Sequence, residues 1–207
     1  MNKIMFNDKY GLTKAVLNGM KTMTRRGEVG IENLEEGNFC FLKGKKEIEL
    51  YGEKGTIIET IKPFYKIGEI VAIAQRYEVL ANSGHLDKMV LKADNAVGFD
   101  FKKEYCGAGW RNKMFVKSEL MPHHIIITDI KLERLQDISE EDCMKEGVFQ
   151  WEDHFHEDRV EDFGFFGATK HYLTAKEAFA ELIDKVSGKG TWNSNQYVFA
   201  YNFELVD

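Results

Sequence analysis

Apolar and polar positions along the chain fall into helix-period and strand-period stretches that do not alternate regularly. Between residues 10 and 18, Leu12, Ala15 and Val16 recur at helical spacing, and Gly19 stands where a helix C′ residue is wanted, so the spacing predicts a helix that stops at Gly19. Beyond it Thr22, Thr24 and Arg26 alternate with Met23 and Arg25, which in an extended chain places two hydroxyls and one guanidinium on a shared face. Residues 28–63 hold short alternating pieces at 39–42, 48–51 and 56–61 among Gly, Lys and Glu, the pattern of hairpins with glycine turns. Residues 65–75 form a near-continuous apolar run, expected to be a central strand. Residues 81–109 mix polar residues around few apolar ones and read as an insertion with limited structure of its own.

Strand-type residues return at 110–117 and 124–135; in the second run Ile126, Thr128, Ile130, Leu132 and Arg134 share one face and Ile125, Ile127, Asp129, Lys131 and Glu133 the other, with one face expected to be mostly core. Ser139 with Asp142 three residues on marks a helix start, and Gly147 its end. Thr174 and Glu177 repeat the device, with an apolar stripe of Phe179, Leu182, Ile183 and Val186 closed by Gly188. Residues 196–206 read as a long closing strand. Many strands with about three short helices, and no Gly-x-Gly-x-x-Gly or Walker loop, predict an α+β chain built on a small mixed β-barrel.

Length and composition narrow this further. The 207 residues suit a single domain, 1–207, with insertions at about 28–63, 81–109 and 148–173, and the 43% of apolar residues argue against disorder. The longest apolar runs are strand-length, and the first eight residues lack the apolar core of a secretion signal, so the expectation is a cytoplasmic protein with no membrane span. Cys40, Cys106 and Cys143 are widely spaced, which indicates neither a disulfide framework nor a structural zinc site. The net charge of −6 is uneven: residues 140–162 hold ten acids and two bases, a local −8, so the remainder carries about +2. Any nucleic-acid contact should therefore be local, and the acidic 140–162 region is a candidate surface for a protein partner.

The stretch Gly19-Met-Lys-Thr-Met-Thr-Arg-Arg26 carries the strongest candidate chemistry. One amine, two hydroxyls and two guanidiniums within residues 21–26 suit an anion or a carbonyl-bearing ligand, while the plainer reading is a solvated basic turn. Trp110, Trp192, Tyr197 and Phe199 are candidate stacking surfaces for a base. Phe199 reads as core, and Trp192, in a polar loop, stays open to ligand contact. His154 and His156 share a face if extended, but no third ligand is fixed by spacing, so no metal or other cofactor is expected. His123 and His124 are adjacent and point to opposite faces of a strand.

Four pieces in order, Gly19-Met-Lys-Thr-Met-Thr-Arg25, Ile67-Gly-Glu-Ile-Val-Ala-Ile73, Ile138-Ser-Glu-Glu-Asp-Cys-Met-Lys-Glu-Gly147 and Trp192-Asn-Ser-Asn-Gln-Tyr-Val-Phe-Ala-Tyr-Asn-Phe-Glu204, resemble the ASCH domain family. Residues 6–12 and 110–116 are similar to members of that family from phages and gut bacteria. The resemblance implies a barrel related to the PUA RNA-binding domain, and a ligand that is RNA or a modified nucleoside. It also implies an alternative, amide hydrolysis of an N4-acylated cytidine, in which the family's Lys, Thr and Glu fall on Lys21, Thr24 and Glu146. In that reading Thr24 is the nucleophile, Lys21 its base, and Glu146 assists, with Thr22, Arg25, Arg26 and Trp192 as ligand contacts. The chain is longer than the small amidohydrolase of the family, so the substrate does not transfer with the motif. A phage or mobile-element interaction module is the third reading.

Overall fold

The computed structural model describes residues 1–27, 39–40, 48–51, 57–85, 107–151 and 162–206. Within them, strands β1 (Lys3–Ile4) and β2 (Met23–Arg26) flank helix α1 (Leu12–Leu17), and β3 (Phe39–Cys40), β4 (Ile48–Tyr51), β5 (Ile57–Ile61) and β6 (Ile70–Ile73) follow. After helix α2 (Tyr77–Asn82) come β7 (His124–Arg134), α3 (Glu140–Lys145), β8 (Val148–Gln150), β9 (Phe163–Phe165), α4 (Ala175–Ser187), α5 (Thr191–Ser194) and β10 (Tyr197–Leu205). The fold is mixed α+β. A five-stranded sheet runs in the order β1-β6-β7-β10-β2, parallel between β1 and β6 and antiparallel in the β6–β7 and β10–β2 pairs. Strands β3, β4 and β5 form a separate antiparallel sheet, as the glycine-punctuated pattern predicts, and β8 and β9 form a two-stranded ladder.

Two compact units are formed, one from residues 1–20, 70–126 and 204–207, the other from residues 21–69 and 127–203. In the first, Ala72, Ala74, Tyr77, Leu80, Val116, Leu120 and Met121 make a buried cluster, with Met5 and Trp110 packed against it. Tyr77 keeps its phenol satisfied there by accepting from the Lys117 amide at 2.9 Å. In the second, α4 turns Ala175, Ala178, Phe179 and Leu182 inward.

Several expected elements differ. The run at 65–75 is a strand only at Ile70–Ile73, because Gly68 takes φ +79° and the Glu69 amide donates to Lys66 O at 3.0 Å, closing a turn in front of it. Residues 110–117 are 3-10 turns rather than a strand: the Asn112 side chain accepts from the Met114 amide at 2.9 Å, a local bond that competes with a ladder. In β7 the buried face switches, with Ile125 and Ile127 buried in its first half and Ile130 in its second, so one core face along the whole strand, as expected, is not formed. The α4 stripe lies one turn earlier than expected, leaving Val186 37% exposed. Among the described residues no helix is long and apolar enough to cross a membrane. His154, His156, Cys106 and most of the insertion expected at 81–109 lie outside the described residues.

Candidate functional site

The site is built in the second unit around β2. Helix α1 ends at Asn18, and Gly19 adopts φ +72°, the left-handed conformation that a glycine reaches without a Cβ penalty. Strand β2 then pairs antiparallel with β10, setting Thr24 opposite Tyr201 and Arg26 opposite Phe199. Alternation along the strand places Thr24 and Arg26 on one face and Met23 and Arg25 on the other. The face shared by Thr22, Thr24 and Arg26 is the one the pattern predicts.

On the other face two cations converge on one carboxylate. Glu146, the C-cap residue of α3, receives the Lys21 ammonium on Oε2 at 2.5 Å and the Arg25 guanidinium on Oε1 at 3.1 Å. Lys21 Nζ also donates to the backbone oxygens of Met23 at 2.7 Å and Glu146 at 2.8 Å. Three acceptors call for three N–H bonds, so this is the geometry of an ammonium ion. Burial lowers the Lys21 pKa from its ordinary value, and the adjacent Glu146 carboxylate opposes that shift. Arg25 is committed as fully: Nε donates to Glu133 Oε1 at 2.9 Å, Nη2 to the same oxygen at 2.5 Å, and Asp142 Oδ2 lies 3.6 Å from Nη2. Its guanidinium also stands 5.9 Å from the centre of the Phe179 ring.

The Thr24 face is different in kind. Thr24 is 5% exposed, and its hydroxyl makes no hydrogen bond among the described residues. Burial lowers the pKa of Arg26, opposed by Tyr65, Glu146 and Tyr201 nearby. Tyr65 and Tyr201 meet edge to face at 5.4 Å, and the Tyr201 phenol accepts from the Phe64 amide at 3.0 Å. Burial raises both phenols, so they stay neutral donors and acceptors under ordinary conditions. Beside them Phe64 is 71% exposed, its ring 4.9 Å from that of Tyr65.

The candidate residues therefore separate. Lys21, Arg25 and Glu146 are brought together as a buried ion network, while Thr22, Thr24 and Arg26 share the face that carries the aromatic rings. No hydrogen bond joins Thr24 to Lys21 or Glu146 among the described residues. Arg25, expected to meet a ligand, spends its donors on three carboxylates instead. Trp192 lies elsewhere, its ring 6.1 Å from Phe179 and its backbone held by Asp184 and Gln136, at the edge of a shallow hollow with Lys170, Tyr172 and Glu181. Tyr65, Tyr201 and Glu133 were not singled out by sequence pattern, and Asp142 only as the capping partner of Ser139.

The described part of the acidic region is also partly internal. Asp142 faces Arg25, Glu146 is buried, and Glu140 accepts the Lys176 amide at 3.1 Å. Among the described residues no group of three or more His, Cys, Asp or Glu is arranged to hold a metal ion. No family model, no curated protein and no solved structure matches the chain.

Proposed function

We propose that the chain is an ASCH/PUA-like module that binds RNA through a modified nucleoside, or the free nucleoside, on the Thr22, Thr24 and Arg26 face of β2. The observation that carries this is the place of the largely buried Thr24, whose hydroxyl makes no hydrogen bond among the described residues, on one face with Arg26 beside Tyr65 and Tyr201. A hydroxyl that donates and accepts, a guanidinium that only donates, and aromatic rings together suit the polar edge and flat face of a nucleobase. The Lys21–Glu146–Arg25 network fixes the position of β2 and does not itself meet the ligand. The order of the four family-like motifs supports the barrel frame.

Titration of short cytidine-containing RNA and of N4-acetylcytidine should show binding that Arg26→Gln weakens about tenfold and Thr24→Val reduces by a similar factor. Arg25→Gln should instead act through stability. Equal affinity in the wild type and both β2-face variants would remove the site from this face.

A second reading, hydrolysis of an N4-acylated cytidine, is favoured by the 2.5 Å contact between Lys21 and Glu146. Transfer of the ammonium proton to Glu146 would leave a neutral amine to take the Thr24 proton as Oγ1 bonds to the acyl carbon. The C–N4 bond then breaks with the proton delivered to the leaving amine, and water releases the acyl group from Thr24. The route requires Lys21 to give up one of its three hydrogen bonds. Release of cytidine by the wild type and its loss in Thr24→Val separates this from binding alone.

A further inference from the structure

The first unit contains a cavity of about 460 Å³ that the β2 face does not use, lined among others by Asp8, Lys14, Gln75, Arg76, His85 and His123. Gln75 follows the end of β6, is 8% exposed, and its side-chain Oε1 is buried with no hydrogen-bond partner. Native interiors rarely leave a side-chain amide idle, because an unmet acceptor costs its full desolvation energy. Arg76, the next residue, has its buried Nε without a hydrogen-bond partner, the nearest carboxylate oxygen of Asp8 standing off at 3.8 Å. Asp8 is already served by the Lys113 ammonium at 2.9 Å and the Thr13 hydroxyl at 2.5 Å. The rings of His85 and His123 meet at 5.3 Å and form an aromatic side to the cavity, and Ser83 Oγ lies 2.9 Å from His85 Nδ1.

We propose that this cavity is a second ligand site, built for a nucleoside monophosphate, with the base edge on the Gln75 amide, its ring against the imidazoles, and its phosphate on Arg76 and Lys14. A side-chain amide presents one acceptor beside two donors, the complement of a base edge, and imidazole faces stack on bases. With the Asp8 charge offset by Lys113, and Glu78 standing 3.8 Å from Arg76 Nη1, Arg76 and Lys14 together leave a balance of one positive charge for an anion. The volume lies within the range of small-ligand pockets. The site is independent of the β2 face, and neither stands or falls with the other.

Calorimetric titration with AMP, GMP, CMP and UMP, with the matching nucleosides and with inorganic phosphate, tests it. At least one mononucleotide should bind, its nucleoside about tenfold more weakly, and phosphate alone more weakly still. Gln75→Met keeps the volume and removes the amide; it should weaken binding about tenfold while the melting temperature stays level or rises. Arg76→Gln, at a partly exposed position, should cost a similar factor. The proposal is overturned if no mononucleotide binds, if phosphate binds as well as the nucleotide, or if binding survives both Gln75→Met and Arg76→Gln.

Discussion

Glu146 holds two buried cations with two oxygens, which makes it the residue whose loss leaves the most charge uncompensated. Breaking a buried ion pair by removing one member costs about 3–5 kcal/mol, because the remaining charge has neither water nor partner. Glu146→Ala should therefore lower unfolding free energy by about that amount in urea, stranding the buried Lys21 ammonium while Arg25 keeps Glu133. Thr24→Val should change it by less than about 1 kcal/mol, since no hydrogen bond of the folded chain is removed. The contrast separates a residue that maintains the site from one that is available to a ligand. A loss of several kcal/mol at Thr24 would show that its hydroxyl holds the fold together. Both residues were legible as candidates in the sequence, and their different duties were not. Strand parity separates Thr24 from Arg25, but only the packing of α3 decides that Lys21 and Arg25 donate to Glu146.

Elements whose limits depend on local chemistry were legible, and those that depend on distant partners were not. Ser139 caps α3 by accepting the Asp142 amide at 3.1 Å, and Thr174 caps α4 by accepting the Glu177 amide at 3.1 Å, both as the spacing of residue types predicts. Gly147 and Gly188 end these helices with φ of 104° and 120°. By contrast, the switch of buried face within β7 and the one-turn offset of the α4 stripe follow from what each element packs against, which periodicity does not encode. The cap at Ser139 bears on the site because α3 delivers Asp142 and Glu146 to Arg25. Ser139→Ala should cost about 1 kcal/mol, read as a lowered melting temperature, with ligand affinity on the β2 face preserved. A drop in affinity larger than the drop in stability would mean that the start of α3 reports to the ligand, not merely to the network.

At the scale of the molecule, charge decides how RNA can be held. The chain carries a net −6, with its acids concentrated between residues 140 and 162. Of the cations at residues 21, 25 and 26, Lys21 is paired with Glu146, and Arg25 with Glu133, Asp142 and Glu146, on the face of β2 away from Thr24. Arg26, on the Thr24 face, is the cation of this stretch that the proposed ligand would meet. For single strands, log K falls with log salt by about 0.7 per phosphate neutralised. Binding of a short single-stranded RNA to the β2 face should therefore have a slope near −0.7, where three available cations would give about −2. Fluorescence anisotropy titrations across a salt series measure this directly, and Arg26→Gln should flatten the slope toward zero. A slope of −2 or steeper in the wild type would mean that the ion network opens on binding, or that lysines beyond residues 21–26 carry the contact. Affinity on this face must come instead from stacking and hydrogen bonding, terms that salt leaves nearly untouched and that a modification of the base changes directly.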